Sequence, residues 1–275
     1  MKIAIIGLGL IGSSIAKAIK GHATIVGIDK DRSTIGYALD DGVILKGGDG
    51  LSLVSGCEMV VIALPVGSIV KVSQRLLPYM DKGTVLTDTG STKAEIVRSL
   101  STMWPWFIGS HPMTGKETSG YALSDINIFK DTVSIITPTP TSKESCIKKV
   151  KMLWELCGAS TISMKPEEHD EIMSKASHLP HLLSFVFMHL VKEEKFPLSL
   201  IGKGFRDFTR IAGSDPVMWR DIFMANRHNI LPLIDNYIRE LSKVKSYIKE
   251  ERTDKLEETL REYSKTRRSL DEHKG

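Results

Sequence analysis

KIAIIGLGLIGSSIAKAIK, residues 2–20, decides the fold. The apolar run from Ile3 to Ile6 reads as a buried strand, and the small and apolar residues after Gly12 recur at helical spacing. Between them Gly7, Gly9 and Gly12 stand in G-x-G-x-x-G register. Alone, that triplet is a weak signal. With a strand before it and a helix after it, the triplet has the context of a dinucleotide-binding turn. A second strand-like segment, TIVGID, ends on Asp29, 22 residues beyond Gly7. An acidic side chain there meets both ribose hydroxyls of NAD and repels the 2′-phosphate of NADP. Gly7 makes the tight turn, Gly9 lets the backbone approach a pyrophosphate, Gly12 lets the helix pack on the strand, and the N–H groups of Leu10 and Ile11 face the phosphates. NAD is the expected cofactor, although Lys30 and Arg32 place positive charge nearby.

The alternation continues. EMVVIALP (58–65) is a buried-strand run closed by proline, a helical pattern follows through Leu77, and TVLTD (84–88) is another strand. STKAEIVRSL reads as a helix opened by a Ser or Thr cap. The segments WFIGSHP, TVSIITPTP (132–140) and ASTISM supply further strands, with a helical pattern up to Cys157. The fold class expected is therefore α/β, with a Rossmann-type nucleotide-binding domain over 1–163. Open parallel sheets bind ligands at the carboxyl ends of their strands. Three segments bring polar or cofactor-facing residues there: ALP with Leu64 and Pro65, TDTGSTK with Ser91, and GSHPMTG with His111. Pro112 stops the strand and Gly115 permits a turn, so His111 is expected at a strand end with restricted motion.

After Pro166 the strand pattern ceases and the remainder reads as helices, with loop signals at KFP and GSDP. Residues 164–275 are expected to form an all-α domain. From Arg239 onward its sequence is dense in mixed charge, a solvated face. Such helices cannot easily enclose one core, so two chains are expected to pack them together as a homodimer.

Composition narrows the functional classes. The 275 residues are 41% hydrophobic and 25% charged, an ordinary globular profile. A formal charge of +4 with interleaved signs offers no footprint for nucleic acid. Cys57, Cys146 and Cys157 form neither a CxxC pair nor an even framework, which points to a reducing compartment, the cytoplasm. No apolar run suits a membrane span, and no signal peptide is expected. His178 and His181 share a helix face around Pro180, but no carboxylate completes a zinc pattern, so no metal is expected. Lys203, Arg206 and Arg210 lie ahead of the loop at 213–216, and Arg210, beside Ile211 and Ala212, suits a carboxylate partner.

Taken in order, GLGLIGSSIA, TDTGSTK, GSHPMTGKE, SHLPH and FRDFTRIAGSDPVMWRDI resemble the prephenate and arogenate dehydrogenases of tyrosine biosynthesis. The resemblance covers roughly residues 1–240. It implies oxidative decarboxylation of prephenate to 4-hydroxyphenylpyruvate with hydride transfer to NAD, or the matching reaction of arogenate. It also implies a dimerising helical domain and a site in the cleft. By the same resemblance His111 is the catalytic histidine and Ser91 its hydrogen-bonding serine. Glu117 becomes an acidic gate, His181 a substrate-side histidine, Arg210 the carboxylate ligand and Trp219 an aromatic neighbour. Neither a chorismate mutase segment nor an appended regulatory domain is expected. Two other readings share this plan. One is a β-hydroxyacid dehydrogenase or imine reductase; the hydroxyacid enzymes carry a lysine base on the first long helix of the second domain, where Lys175 is the nearest candidate in different surroundings. A non-catalytic NAD-binding regulator would bind cofactor without turnover.

Overall fold

The computed structural model describes residues 1–115, 120–191 and 198–272. The chain divides into two compact units, Met1–Arg227 and His228–Gly275. In the first unit β1 (Lys2–Ile6), α1 (Leu10–Ile19) and β2 (Thr24–Ile28) realise the opening motif. They are followed by α2 (Arg32–Asp40), β3 (Lys46–Gly48), β4 (Met59–Ile62), α3 (Val66–Leu76), β5 (Val85–Asp88), α4 (Ala94–Met103) and β6 (Phe107–Pro112). The sheet is completed by β7 (Val133–Thr137), α5 (Glu144–Leu156) and β8 (Ser160–Ser163). β3 has no apolar residue to announce it, being Lys-Gly-Gly.

The eight strands lie in the order β3-β2-β1-β4-β5-β6-β7-β8. β1 to β6 run parallel, β7 runs antiparallel to β6, and β8 is parallel to β7. β4 is apolar at every position and β1 from Ile3 onward, because both faces of the sheet are covered, as a doubly wound sheet requires. Ile3 and Ile5 pack on one face with Ile15 and Ile19 of α1 and with Leu153 and Trp154 of α5. Ala4 and Ile6 pack on the other with Ile69 of α3 and Ile96 and Leu100 of α4. The chain order reverses between β1 and β4, which opens a crevice at their carboxyl ends.

The glycine-rich turn is dimensioned by its neighbours. Gly7 has φ +92°, and a Cβ there would stand 2.3 Å from the Ala63 carbonyl oxygen. A Cβ on Gly12 would stand 1.8 Å from the Gly7 carbonyl oxygen. At Gly9 an added Cβ meets nothing within 4 Å, so this side of the turn is open. Asp29 holds the turn from β2: its carboxylate accepts from Leu8 N at 2.7 Å and from Asp31 N at 2.9 Å.

The helices that follow in the same unit are α6 (Pro166–Met173), a π-turn over Ser174–His178, α7 (Leu179–Leu190), α8 (Lys203–Thr209) and α9 (Pro216–Ala225). Pro166 and Pro216 occupy first-turn positions, where a missing N–H costs nothing. The KFP segment lies outside the described residues. Beyond Arg227 the second unit is helical, with α10 (Arg227–Lys249) and α11 (Thr253–Glu272). Its mixed charges form exposed pairs such as Lys255 with Glu258, each worth little to stability. Among the described residues, no helix is long and apolar enough to cross a membrane.

One expected cap is corrected. α4 is preceded by Lys93, which makes no side-chain cap bond, and neither Ser91 nor Thr92 caps it. The orphan N–H groups of Lys93 and Ala94 are instead taken by the Asp170 carboxylate of α6, at 2.7 and 2.9 Å. A tertiary contact has displaced the local one because a carboxylate outbids a hydroxyl at a helix amino terminus.

Gly12→Ala forces a methyl group against the Gly7 carbonyl and should lower stability by roughly 1–3 kcal/mol, read as a reduced urea midpoint. An unchanged midpoint would mean that α1 can move off β1 without cost.

Candidate active site

The site grows from the ends of β5 and β6. Asp88 closes β5 and Ser110 lies next to His111 in β6, and these two residues are stitched together. Ser110 Oγ donates to the Asp88 carbonyl at 2.6 Å, and Ser110 N donates to the Asp88 carboxylate at 3.2 Å. Lys93 reaches back from the start of α4 with its side chain wholly buried, pairs with Asp88, and donates to the Ser110 carbonyl at 2.9 Å. A buried ion pair gains its place only when its remaining polar atoms are also satisfied. Here Gly90 N adds a further donor to Asp88 at 2.9 Å. Burial lowers the Lys93 ammonium from its usual value while the Asp88 charge opposes that shift.

Into this frame β6 delivers His111, half-buried, and α6 delivers His169 and Asp170. His111 Nδ1 lies 2.8 Å from His169 Nε2, and His169 Nδ1 lies 2.8 Å from the Asp170 carboxylate. Asn226, just after α9, donates one amide hydrogen to the Asp170 carbonyl at 2.7 Å and sits 2.9 Å from His178 Nδ1. The backbone of Ser91 hydrogen-bonds the His178 ring. A continuous set of contacts thus runs from Ser91 through His178, Asn226, Asp170 and His169 to His111.

The electrostatics follow from the burial. Desolvation pushes His111 well below the ordinary histidine value, and the nearby His169, Lys93 and His178 act in the same direction. His169 is lowered by burial against the opposing Asp170 hydrogen bond, and His178 is lowered to about 4, again mainly by burial. His111 is therefore neutral at physiological pH, with a lone pair available. That is the state required of a base.

His181 and Trp219 form a second wall. The Trp219 indole is buried and stacks on the His181 ring at 3.7 Å between centroids. His181 Nδ1 donates to the Ser177 carbonyl at 2.9 Å, which leaves Nε2 as an acceptor. Arg210 opens the short turn Arg210–Gly213 that packs against α7; it is exposed, while Ile211 and Ala212 are half-buried. Lys203 and Arg206 are exposed on α8. Glu117 lies outside the described residues. Lys175, the lysine nearest to the base position of a hydroxyacid enzyme, is exposed and pairs with Glu171 at 2.8 Å.

For a dinucleotide, the open side of the turn at Gly9 and the amino terminus of α1 provide the fit. That terminus has no side-chain cap and no acidic residue in its first turn, so an anion meets its N–H groups unopposed. Leu64 and Pro65 follow β4 beside it, and the Leu64 side chain lies within 2.8 Å of where a Gly7 Cβ would stand. Asp29 retains lone pairs beyond the two N–H groups it accepts.

His169, Asp170, Asn226 and Lys93 were not singled out from the sequence. One signal was present. Pro166, His169, Asp170 and Met173 recur at the spacing of a buried helix face, and two of the four are polar.

Comparison with known proteins shows the family. A family model described as prephenate dehydrogenase, nucleotide-binding domain, matches residues 15–163, and one described as prephenate dehydrogenase, dimerization domain, matches 165–262. A prephenate dehydrogenase of Bacillus subtilis (strain 168) is 36% identical over 262 residues, covering 91% of this chain and 71% of that protein. A cyclohexadienyl dehydrogenase of Zymomonas mobilis is 32% identical over 281 residues, covering 98% and 95%. The crystal structure of prephenate dehydrogenase from Aquifex aeolicus, in complex with hydroxyphenyl propionate and NAD+, is 32% identical with a TM-score of 0.90 over 98% of each chain.

The lowered histidines carry a pH dependence of stability. A ring neutral in the folded state and free to protonate when unfolded leaves stability intact above about pH 6.5 and erodes it as pH falls toward the folded value. His178 alone should cost on the order of 3 kcal/mol between pH 6.5 and about 4. Urea midpoints at pH 7.5, 5.5 and 4.5 should fall in that order; a flat series would mean that these rings are charged in the folded protein.

Proposed function

Because the chain belongs to the prephenate dehydrogenase family, we propose that it oxidises and decarboxylates prephenate to 4-hydroxyphenylpyruvate with NAD, His111 serving as the base. The observation that carries this reading is a neutral, desolvated imidazole at the carboxyl end of β6, on the edge of the sheet where the glycine-rich turn opens. NAD, when bound, accepts a hydride. Gly7, Gly9, Leu10, Ile11 and Gly12 would hold its pyrophosphate, Asp29 its ribose, and Leu64 and Pro65 would flank it.

The substrate's ring hydroxyl must lose its proton as its carbon loses hydride. His111 takes that proton, a contribution of typically about 10²- to 10⁴-fold. Departure of carbon dioxide then restores the aromatic ring and leaves a phenolate oxygen, to which His111 returns the proton, so no second acid or base is needed. Ser91 orients the hydroxyl and the imidazole. Its position between β5 and α4, with its backbone on His178, supports that role. His181 presents Nε2 from a ring clamped against Trp219, which suits a polar substrate atom. Arg210 receives a substrate carboxylate, and Glu117 gates the site. Arogenate differs from prephenate only in an amino group on the side chain, and the same machinery would oxidise it.

We assign nucleotide binding to 1–163 and dimerisation to 164–275, the division at which the two family models meet. A homodimer through the helical segment and a cytoplasmic location complete the proposal. Three buried free cysteines are in keeping with a reducing compartment.

His111→Asn should lower kcat by roughly 10²-fold or more while KM for NAD stays within threefold. In the unmodified enzyme the ascending acidic limb of kcat/KM should fall below the ordinary histidine value, since burial favours the neutral ring. A kcat within threefold of the parent would remove His111 from the chemistry.

Arg210→Gln should raise KM for prephenate about 10- to 150-fold, with little change in KM for NAD or in melting temperature. A variant with unchanged KM but a much lower melting temperature would make Arg210 a structural residue, and would pass the carboxylate to Lys203 or Arg206.

A further inference from the structure

From the pairings behind His111 we infer that His169 and Asp170 are positioning residues that fix its tautomer, keeping Nδ1 protonated and Nε2 bare toward the substrate hydroxyl. The inference rests on the reading of His111 as the base and adds what makes that base competent. The argument is one of donors and acceptors. A carboxylate only accepts, so at 2.8 Å the His169 Nδ1 must donate to Asp170. The same carboxylate accepts from Lys93 N and Ala94 N, and it is held by three N–H groups from two segments far apart in sequence. His169 is fully buried and neutral, and it has one proton to place. With Nδ1 spent, its Nε2 is a lone pair. Among the described residues, the polar atom that faces that lone pair is His111 Nδ1, also at 2.8 Å, so His111 donates there. A neutral His111 with its proton on Nδ1 has nothing on Nε2.

The alternative tautomer, with the proton on Nε2, would present a donor to a hydroxyl that needs an acceptor. It would also set two lone pairs against each other at His111 Nδ1 and His169 Nε2. Which ring nitrogen carries the proton is set by the bond the other makes. Here that bond is fixed one ring back, at the Asp170 carboxylate. Other charged and titratable groups around the pair are Lys93 and Asp88, from α4 and β5, and His178, from the π-turn. None of these supplies an acceptor to His111 Nδ1. Once the substrate proton has reached Nε2, the imidazolium keeps donating through Nδ1 to a ring anchored on a carboxylate. The charge is thereby stabilised without a change of geometry, as in other preorganised sites.

The test uses the full chain labelled with ¹⁵N-histidine. Long-range ¹H–¹⁵N spectra near pH 7.5, assigned with His111→Asn and His169→Gln, should show both His111 and His169 protonated at Nδ1. A His111 protonated at Nε2 overturns the inference. In kinetics, His169→Leu should lower kcat about 30-fold or more, with KM for prephenate and for NAD within threefold. His169→Gln places an amide oxygen near the vacated Nε2 position, and should be at least fivefold faster than the leucine variant. Equal loss in the two variants would reduce His169 to a packing residue, and the spectra keep the question decidable should the leucine variant fail to fold. Retained activity in His111→Asn would defeat the base assignment and leave the spectra standing. An inactive His111→Asn beside an Nε2-protonated His111 would defeat this inference alone.

Discussion

The Asp170 carboxylate is the joint on which the site depends. It closes the amino terminus of α4 by accepting from Lys93 N and Ala94 N, and it anchors the histidine pair that ends at His111. Backbone and side-chain functions are usually met by different groups. Here one carboxylate meets both, so the segment that shapes the sheet edge and the segment that orients the imidazole share a single origin. Asn226 reinforces the arrangement from α9 by donating to the Asp170 carbonyl. Removal of the carboxylate would leave two buried N–H groups and a buried imidazole N–H without their acceptor, a cost of about 1–3 kcal/mol each.

Behind that joint stands Lys93 with Asp88. A wholly buried ammonium is costly to desolvate, and the pair is retained where its charge and hydrogen bonds connect β5, β6 and α4 at one point. Its charge is also felt chemically. Lys93 is one of the groups that hold His111 neutral, so the residue that secures the frame also biases the proposed base toward the form able to accept a proton.

Much of this was legible in the sequence, and the rest was hidden for identifiable reasons. The glycine triplet, Asp29 and the apolar strands announce themselves because backbone geometry and two-sided burial restrict what can stand there. His111 was marked by Pro112 and by the strand leading to it. His169 and Asp170 were not marked, because a His-Asp pair in a short helix rich in Glu looks like surface until its burial is known. The serine or threonine cap expected for α4 failed for the related reason that its true partner lies 76 residues away from Ala94. Contacts of that range leave no local pattern. The tautomer of His111 was equally invisible, being a property of three residues from two distant segments.

The reversal of strand direction between β6 and β7 decides how the imidazole is held. β6 pairs with β5 only through Phe107 and Ile108, while Gly109 to Pro112 pair with β7 alone, His111 opposite Ile135. The histidine therefore lies beyond the β5 ladder, held by β7 on one side and by the contacts of Ser110 with Asp88 and Lys93 on the other. The chain leaves that ladder after Pro112 and rejoins it at Val133, with Met113 N donating to the Val133 carbonyl at 2.8 Å. Departure and return share one rung. The base of the excursion is thereby closed by a backbone hydrogen bond two residues from the imidazole.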